Sequence, residues 1–209
     1  MRRRYLIRGF AIFLGLITAP FSGYGKAVAE QSPTEVISAF HGALLGTMKQ
    51  AGELGVSGRY QQLSGPITDS YDLAGMTRIS CGSFWRRATD VERQDLVTAF
   101  SRISIGTYAV RFNGYSGQGF DVLGEKEGPR GTTLVETRIV GTDEGPVNLT
   151  YVMKPSEHGW RIIDVLLKGE VSELAVRRSE YRSILKLRGV RGLISALNKK
   201  ADSLVGPVS

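Results

Sequence analysis

Cys81 is the only cysteine in the 209 residues, so no disulfide can form within the chain and the fold must stand on packing. It lies in the apolar phrase Met76 to Cys81, which reads as a buried, inert thiol. Histidine is nearly as scarce. His41 and His158 are the only two, and neither has a serine, cysteine or acid beside it in a nucleophile arrangement. The chain also lacks a P-loop, a glycine-rich dinucleotide turn, a zinc-protease helix and any zinc-ligand spacing. No catalytic residue, metal site or cofactor is therefore assigned, and a non-enzymatic role is expected. Long apolar runs are missing too. The uncharged stretch from Gly9 to Gly25 is interrupted by Pro20, Ser22, Gly23 and Gly25, whereas a spanning helix needs about 20 mostly apolar residues.

That N-terminal stretch instead has the three parts of a secretory signal. Arg2, Arg3, Arg4 and Arg8 precede the apolar core from Phe10 to Phe21, and Ala27-Val28-Ala29 ends it. Residues 1–29 are read as a cleaved signal peptide and 30–209 as a single domain, so the mature chain is expected to be exported. Removing five basic side chains with the signal leaves 22 basic against 20 acidic groups, so the pI of 9.7 belongs mainly to the leader. A nucleic-acid partner is not expected, because it would need a basic stripe on the mature domain. The remaining charge is uneven. Residues 171–209 hold eight basic and three acidic groups, a surplus that could meet anionic headgroups or an acidic partner.

Element order follows from capping and periodicity. Ser32, Pro33 and Glu35 form a capping box with proline at the first helical position, ahead of Val36, Ile37, Phe40, Leu44, Leu45 and Met48. This helix should end near Gly52 to Gly55. A short helical piece around Tyr60 to Ile67 follows, then one from Asp72 to Gly82. Thr89 and Glu92 make a second box, opening what should be the longest helix, about 20 residues and about 30 Å. Four strands are expected at Phe120–Glu127, Thr132–Thr142, Val147–Lys154 and Trp160–Lys168, joined by short turns into an antiparallel meander. Two helices, Ser172–Leu187 and Val190–Leu204, are parted by Gly189. Helices, then strands, then helices is an α+β order with helices packed on one face of a curved four-stranded sheet.

Asp164 interrupts the apolar last strand, where a carboxylate needs a partner. It could act as a general base beside Tyr108 or Tyr151, or it could bind Arg138 or cap neighbouring backbone.

Several phrases, in this order and spacing, resemble the MlaC family of periplasmic lipid-binding proteins, which serve outer-membrane lipid asymmetry. They are Phe84-Trp85, Thr89 to Leu96, Phe100, Gly106 to Ala109, GWRIIDV (159–165), GEVSELAVRRSEYRSIL (169–185) and RGVRGLISAL (188–197). Within the family, RRSEYRSIL and GYSGQGF (114–120) are most similar to HpnM, the hopanoid biosynthesis-associated branch. The resemblance implies an NTF2-like fold with an apolar cavity, a phospholipid or hopanoid ligand, transient membrane contact and an inner-membrane transporter as partner, RND-type for the hopanoid branch. The lipid-binding set is then Leu44, Met48, Tyr71, Met76, Ile79, Trp85, Phe100, Tyr108, Leu149, Tyr151, Ile163 and Val165. Leu44, Met76, Trp85, Phe100, Tyr108, Leu149 and Tyr151 should line a pocket on the order of several hundred Å³. Arg177, Arg178 and Arg182 are the expected docking residues for partner or membrane. The alternatives are a small-molecule enzyme using Asp164 and a tyrosine, and an adaptor with a filled core.

Overall fold

A computed structural model describes residues 31–143 and 145–206. The expected signal peptide, residues 1–29, lies outside the described residues. Helix α1 (Pro33–Lys49) begins at the Ser32/Glu35 box: the Glu35 N–H donates to Ser32 Oγ at 3.2 Å, and the Ser32 N–H donates to the Glu35 carboxylate at 2.7 Å. Helix α2 (Ala51–Ser70) is longer than the piece expected around Tyr60 to Ile67. Gly55, at φ 58° and ψ −174°, kinks it rather than ending it. Burial of Leu63 and Ile67 holds the continuation, and the buried Arg59 guanidinium donates to the carbonyls of Ala51 and Ala109, at 2.8 and 2.7 Å.

Asp72 caps α3 (Leu73–Cys81) through the Gly75 N–H, and Gly82 turns the chain into the short α4 (Ser83–Arg87). Helix α5 (Asp90–Arg111) carries the second capping box and runs 22 residues. It is the longest uninterrupted helix among the described residues. The segment α6 (Glu173–Val205) spans 33 residues but leaves helical geometry at Gly189, where the sequence separates two helices.

Among the described residues the sheet has five antiparallel strands in sequential order, not four: β1 (Gly119–Glu127), β2 (Thr133–Val140), β3 (Val147–Ser156), β4 (Gly159–Leu167) and β5 (Val171–Ser172). Lys168 and Gly169, at φ 52° and 76°, reverse the chain so that Val171 and Ser172 pair with Leu167 and Leu166. Two residues carry no alternation, and Ser172 also reads as the cap of α6, which it is. The core-facing side of the sheet holds Val135, Leu149, Tyr151, Met153, Ile162 and Val165, packed against Ile37, Phe40 and Leu44 of α1 and Phe100 of α5.

A bulge where β3 meets β4 decides which side chains face the core. Val152 pairs with Asp164 and Met153 with Ile162, so Ile163 is the extra residue. Ile162 and Val165 therefore both point inward, and Asp164 shares the opposite face with Val152. Uninterrupted alternation would have put Ile163 with Val165, as the sequence reading does. Among the described residues no helix is long and apolar enough to cross a membrane.

Candidate functional site

An aromatic cluster with polar tips fills the interior between α1, α2, α5 and the sheet. Phe40 stands edge-on to Tyr71 and Tyr108, with ring centres 5.5 and 5.6 Å apart, and Tyr108 stacks on Phe112. His41 stacks on Phe120 at 4.4 Å, and its Nε2 is hydrogen-bonded to the Tyr151 hydroxyl at 3.0 Å. The Tyr71 and Tyr108 hydroxyls bond to each other. Burial sets the charge state of the cluster. It pushes His41 down to about 4, Tyr108 up to about 12, and Tyr71 and Tyr151 well above the usual phenol range. At neutral pH this aromatic cluster is uncharged and hydrogen-bonded, with His41 Nδ1 left as a buried atom without a partner among the described residues.

A cleft of about 430 Å³ opens beside this interior, between α5 and α6. Ile103, Thr107 and Arg111 of α5 form one wall, and Glu173, Val176, Arg177, Glu180, Tyr181 and Lys200 of α6 the other. Leu167 and Val171 complete the lining. The cleft abuts the core directly: Tyr181 meets Phe100 edge-on, with ring centres 6.4 Å apart, and the Arg177 guanidinium lies 5.1 Å over the same ring. The negative charge of Glu173 at the cleft is close enough to disfavour ionisation of Tyr71, Tyr108 and Tyr151. Arg111 pairs with Glu173 at 3.1 Å, whereas Arg177 and Lys200 have no ion pair among the described residues. The lining is thus apolar at Ile103, Leu167, Val171 and Val176, with free cations among it.

Most residues singled out in the sequence lie deeper. Leu44, Tyr71, Met76, Phe100, Leu149, Tyr151 and Val165 are buried in one contiguous core, with Trp85 and Tyr108 half-buried against it. Met48 is buried outside that cluster, Ile79 is 39% exposed, and Ile163 sits half-buried at the bulge. Among the expected lipid-binding and docking residues, only Arg177 lines the α5–α6 cleft; Tyr71 borders a second one, of about 540 Å³, with Asp72, Leu73, Val97, His158 and Arg161. The expected docking triad is split. Arg177 is half-buried over Phe100, while Arg178 and Arg182 are exposed beside Gly82. The cleft-lining residues do carry a sequence signal: Ile103, Thr107 and Arg111 recur every fourth residue, and Glu173, Val176, Arg177 and Glu180 follow i, i+3, i+4, i+7.

Asp164 accepts from the Leu174 N–H at 3.0 Å, its neighbour Val165 N–H at 2.8 Å and the Ser172 hydroxyl at 2.5 Å. It closes the start of α6 together with Ser172, whose own hydroxyl oxygen accepts from the Ala175 N–H. Arg138 pairs with Asp121 instead. Neither Tyr108 nor Tyr151 bonds to Asp164, since each hydroxyl is engaged elsewhere. Cys81 is buried and its thiol is pushed up to about 11 by desolvation, so it stays protonated at neutral pH.

The family model described as MlaC protein matches residues 39–199. A phospholipid-binding protein from Ralstonia solanacearum, solved in complex with a phospholipid at 1.53 Å, shares the fold: the TM-score is 0.73 at 21% identity, covering 83% of this chain and 99% of that one. No curated protein matches this sequence.

Proposed function

Because the chain belongs to the MlaC protein family, we propose that it is a soluble periplasmic lipid carrier, non-catalytic, that shields the apolar part of a phospholipid or hopanoid-type lipid. The observation that carries this reading is the α5–α6 cleft, apolar in much of its lining, bearing unpaired Arg177 and Lys200, and set against an uncharged aromatic core. The phospholipid bound by the Ralstonia protein of the same fold supports it. Exposing two long acyl chains to water costs well over ~20 kcal/mol, since each methylene contributes about 0.8 kcal/mol, so free passage between membranes is negligible and tails must be covered.

In this reading Arg177 and Lys200 meet the phosphate and the tail enters past Ile103, Thr107 and Tyr181. The cleft volume is at the small end for ligand sites, so a two-chain lipid is accommodated as the helices part from the NTF2-like sheet. Leu44, Met76, Phe100, Tyr108, Leu149, Tyr151 and Val165 then become lining. Lipid is exchanged with membrane-bound transport complexes, an inner-membrane RND-type transporter being the partner expected from the likeness to the hopanoid-associated HpnM branch.

Native mass spectrometry with lipid extraction of the exported protein tests the proposal. A stoichiometric lipid and a chain beginning at Glu30 are expected. A ligand-free protein, or one retaining Met1 in a membrane fraction, would refute a soluble carrier.

A further inference from the structure

From Leu73 to Thr89 the chain has no aspartate or glutamate, and neither does the run from Tyr181 to Ala201. The tertiary structure brings these two acid-free segments together. Helices α3 and α4 pack on α6, and Gly82, Phe84, Arg178 and Arg182 share a shallow concavity of about 60 Å³. Arg178, Arg182 and Lys186 recur every fourth residue and so form one exposed stripe over successive turns of α6. Arg87 adds a further charge, its guanidinium 4.6 Å over the Phe84 ring. None of these four cations is in an ion pair among the described residues. Like charges four residues apart repel along a helix, and the acid nearest to them in sequence, Glu180, lines the α5–α6 cleft and pairs with none of them. One step round from Lys186, Leu187 is 84% exposed and flanked by Arg188.

We propose that this face docks the protein on the surface of an anionic lipid bilayer, the four cations meeting headgroup phosphates while Leu187 dips below them. The inference deepens the carrier reading, which supplies its purpose: a lipid carrier must reach the membrane it serves. A bilayer fits the face better than an acidic protein does. The fully exposed apolar component is one side chain at a helix corner, which suits interfacial insertion, whereas a stable protein interface buries a patch of about 800 Å² per partner.

Flotation with protein-free vesicles tests the proposal, comparing phosphatidylcholine alone with phosphatidylcholine plus phosphatidylglycerol. The mature chain should bind the anionic vesicles and release them as salt is raised. Each basic side chain at an anionic surface is worth roughly 5-fold in partitioning, so Arg178→Gln, Arg182→Gln and Lys186→Gln together should lower it roughly 100-fold. Leu187→Asp should lower it further. A control removing the same charge from distant exposed sites, Lys49→Gln, Arg130→Gln and Lys154→Gln, should keep most of the binding.

Bound lipid, measured by mass spectrometry on the same samples, separates the two readings. A wild type that floats without carrying lipid supports docking and defeats the carrier. Equal losses in the two triple variants, or equal binding to both vesicle types, would overturn the docking face. No binding to any protein-free vesicle would overturn it too, and would turn the face over to an acidic protein.

Discussion

Two tryptophan substitutions separate the mouth of the site from the packed interior. Thr107 lies half-buried on the α5 wall of the cleft, and its hydroxyl donates only to the Ile103 carbonyl of the preceding turn, at 2.7 Å. Thr107→Trp places an indole in open cleft and loses one local bond, so the cost should stay within about 0.5 kcal/mol, roughly 2 °C or less in Tm for a domain of this size. Leu149 is 8% exposed, paired in register with Thr137 and Leu167, and its carbonyl accepts from the buried Thr137 hydroxyl at 3.2 Å. No open space is evident there. Leu149→Trp should therefore cost about 1–3 kcal/mol by overpacking, roughly 2–12 °C. The assay is thermal unfolding of delipidated protein, because bound ligand would itself raise Tm, alongside lipid content of the protein as purified. Thr107→Trp should lose lipid and keep its Tm; Leu149→Trp should lose Tm. A full lipid load in Thr107→Trp would refute the α5–α6 cleft as the route inward. An unchanged Tm in delipidated Leu149→Trp would mean that the interior is hollow behind β3 rather than packed.

Three further outcomes follow from single residues. Asp164→Ala removes the acceptor for the Leu174 and Val165 N–H groups and should cost about 1–2 kcal/mol, read by urea unfolding, with lipid content falling only in proportion to stability; loss of turnover of a small substrate from a folded variant would reinstate the enzyme reading. His41 is held at about 4 in the folded chain against an ordinary 6.5, so the unfolded chain takes up the proton first. Its contribution is complete above about pH 6.5 and declines as pH falls toward 4, by about 3 kcal/mol in all; His41→Gln should flatten that part of the stability profile, and an identical profile would refute the assignment. Gly189 adopts φ 65° and ψ −169°, a region nearly closed to other residues. Gly189→Ala should cost about 1–3 kcal/mol by thermal melt even though no atom lies near the added carbon, and a neutral effect would show that the break in α6 can straighten.

Much of the fold was legible because local chemistry decides it. The Ser32/Glu35 and Thr89/Glu92 boxes mark two helix starts, since the orphan N–H groups there accept only a few side-chain solutions, and Gly189 marks the break in the last helix, since few other residues reach its backbone angles. Alternation in Val147 to Met153 located β3 and its buried face for the same reason. The two-residue β5 and the one-residue bulge that brings Ile162 rather than Ile163 to the core face have no local signature, because both depend on what a neighbouring strand offers. Which apolar residues face the candidate cleft was not legible for a related reason. Apolar residues at helical spacing are the same whether they line a cavity or fill a core, and only the packing of α5 against α6 buries Phe100 and leaves Ile103, Thr107 and Val176 beside open space. Charge behaves likewise. The sequence determines that the C-terminal segment is basic, but adjacent Arg177 and Arg178 point about 100° apart on a helix, and it is the position of the neighbouring helices that lays one over Phe100 and leaves the other exposed beside Gly82.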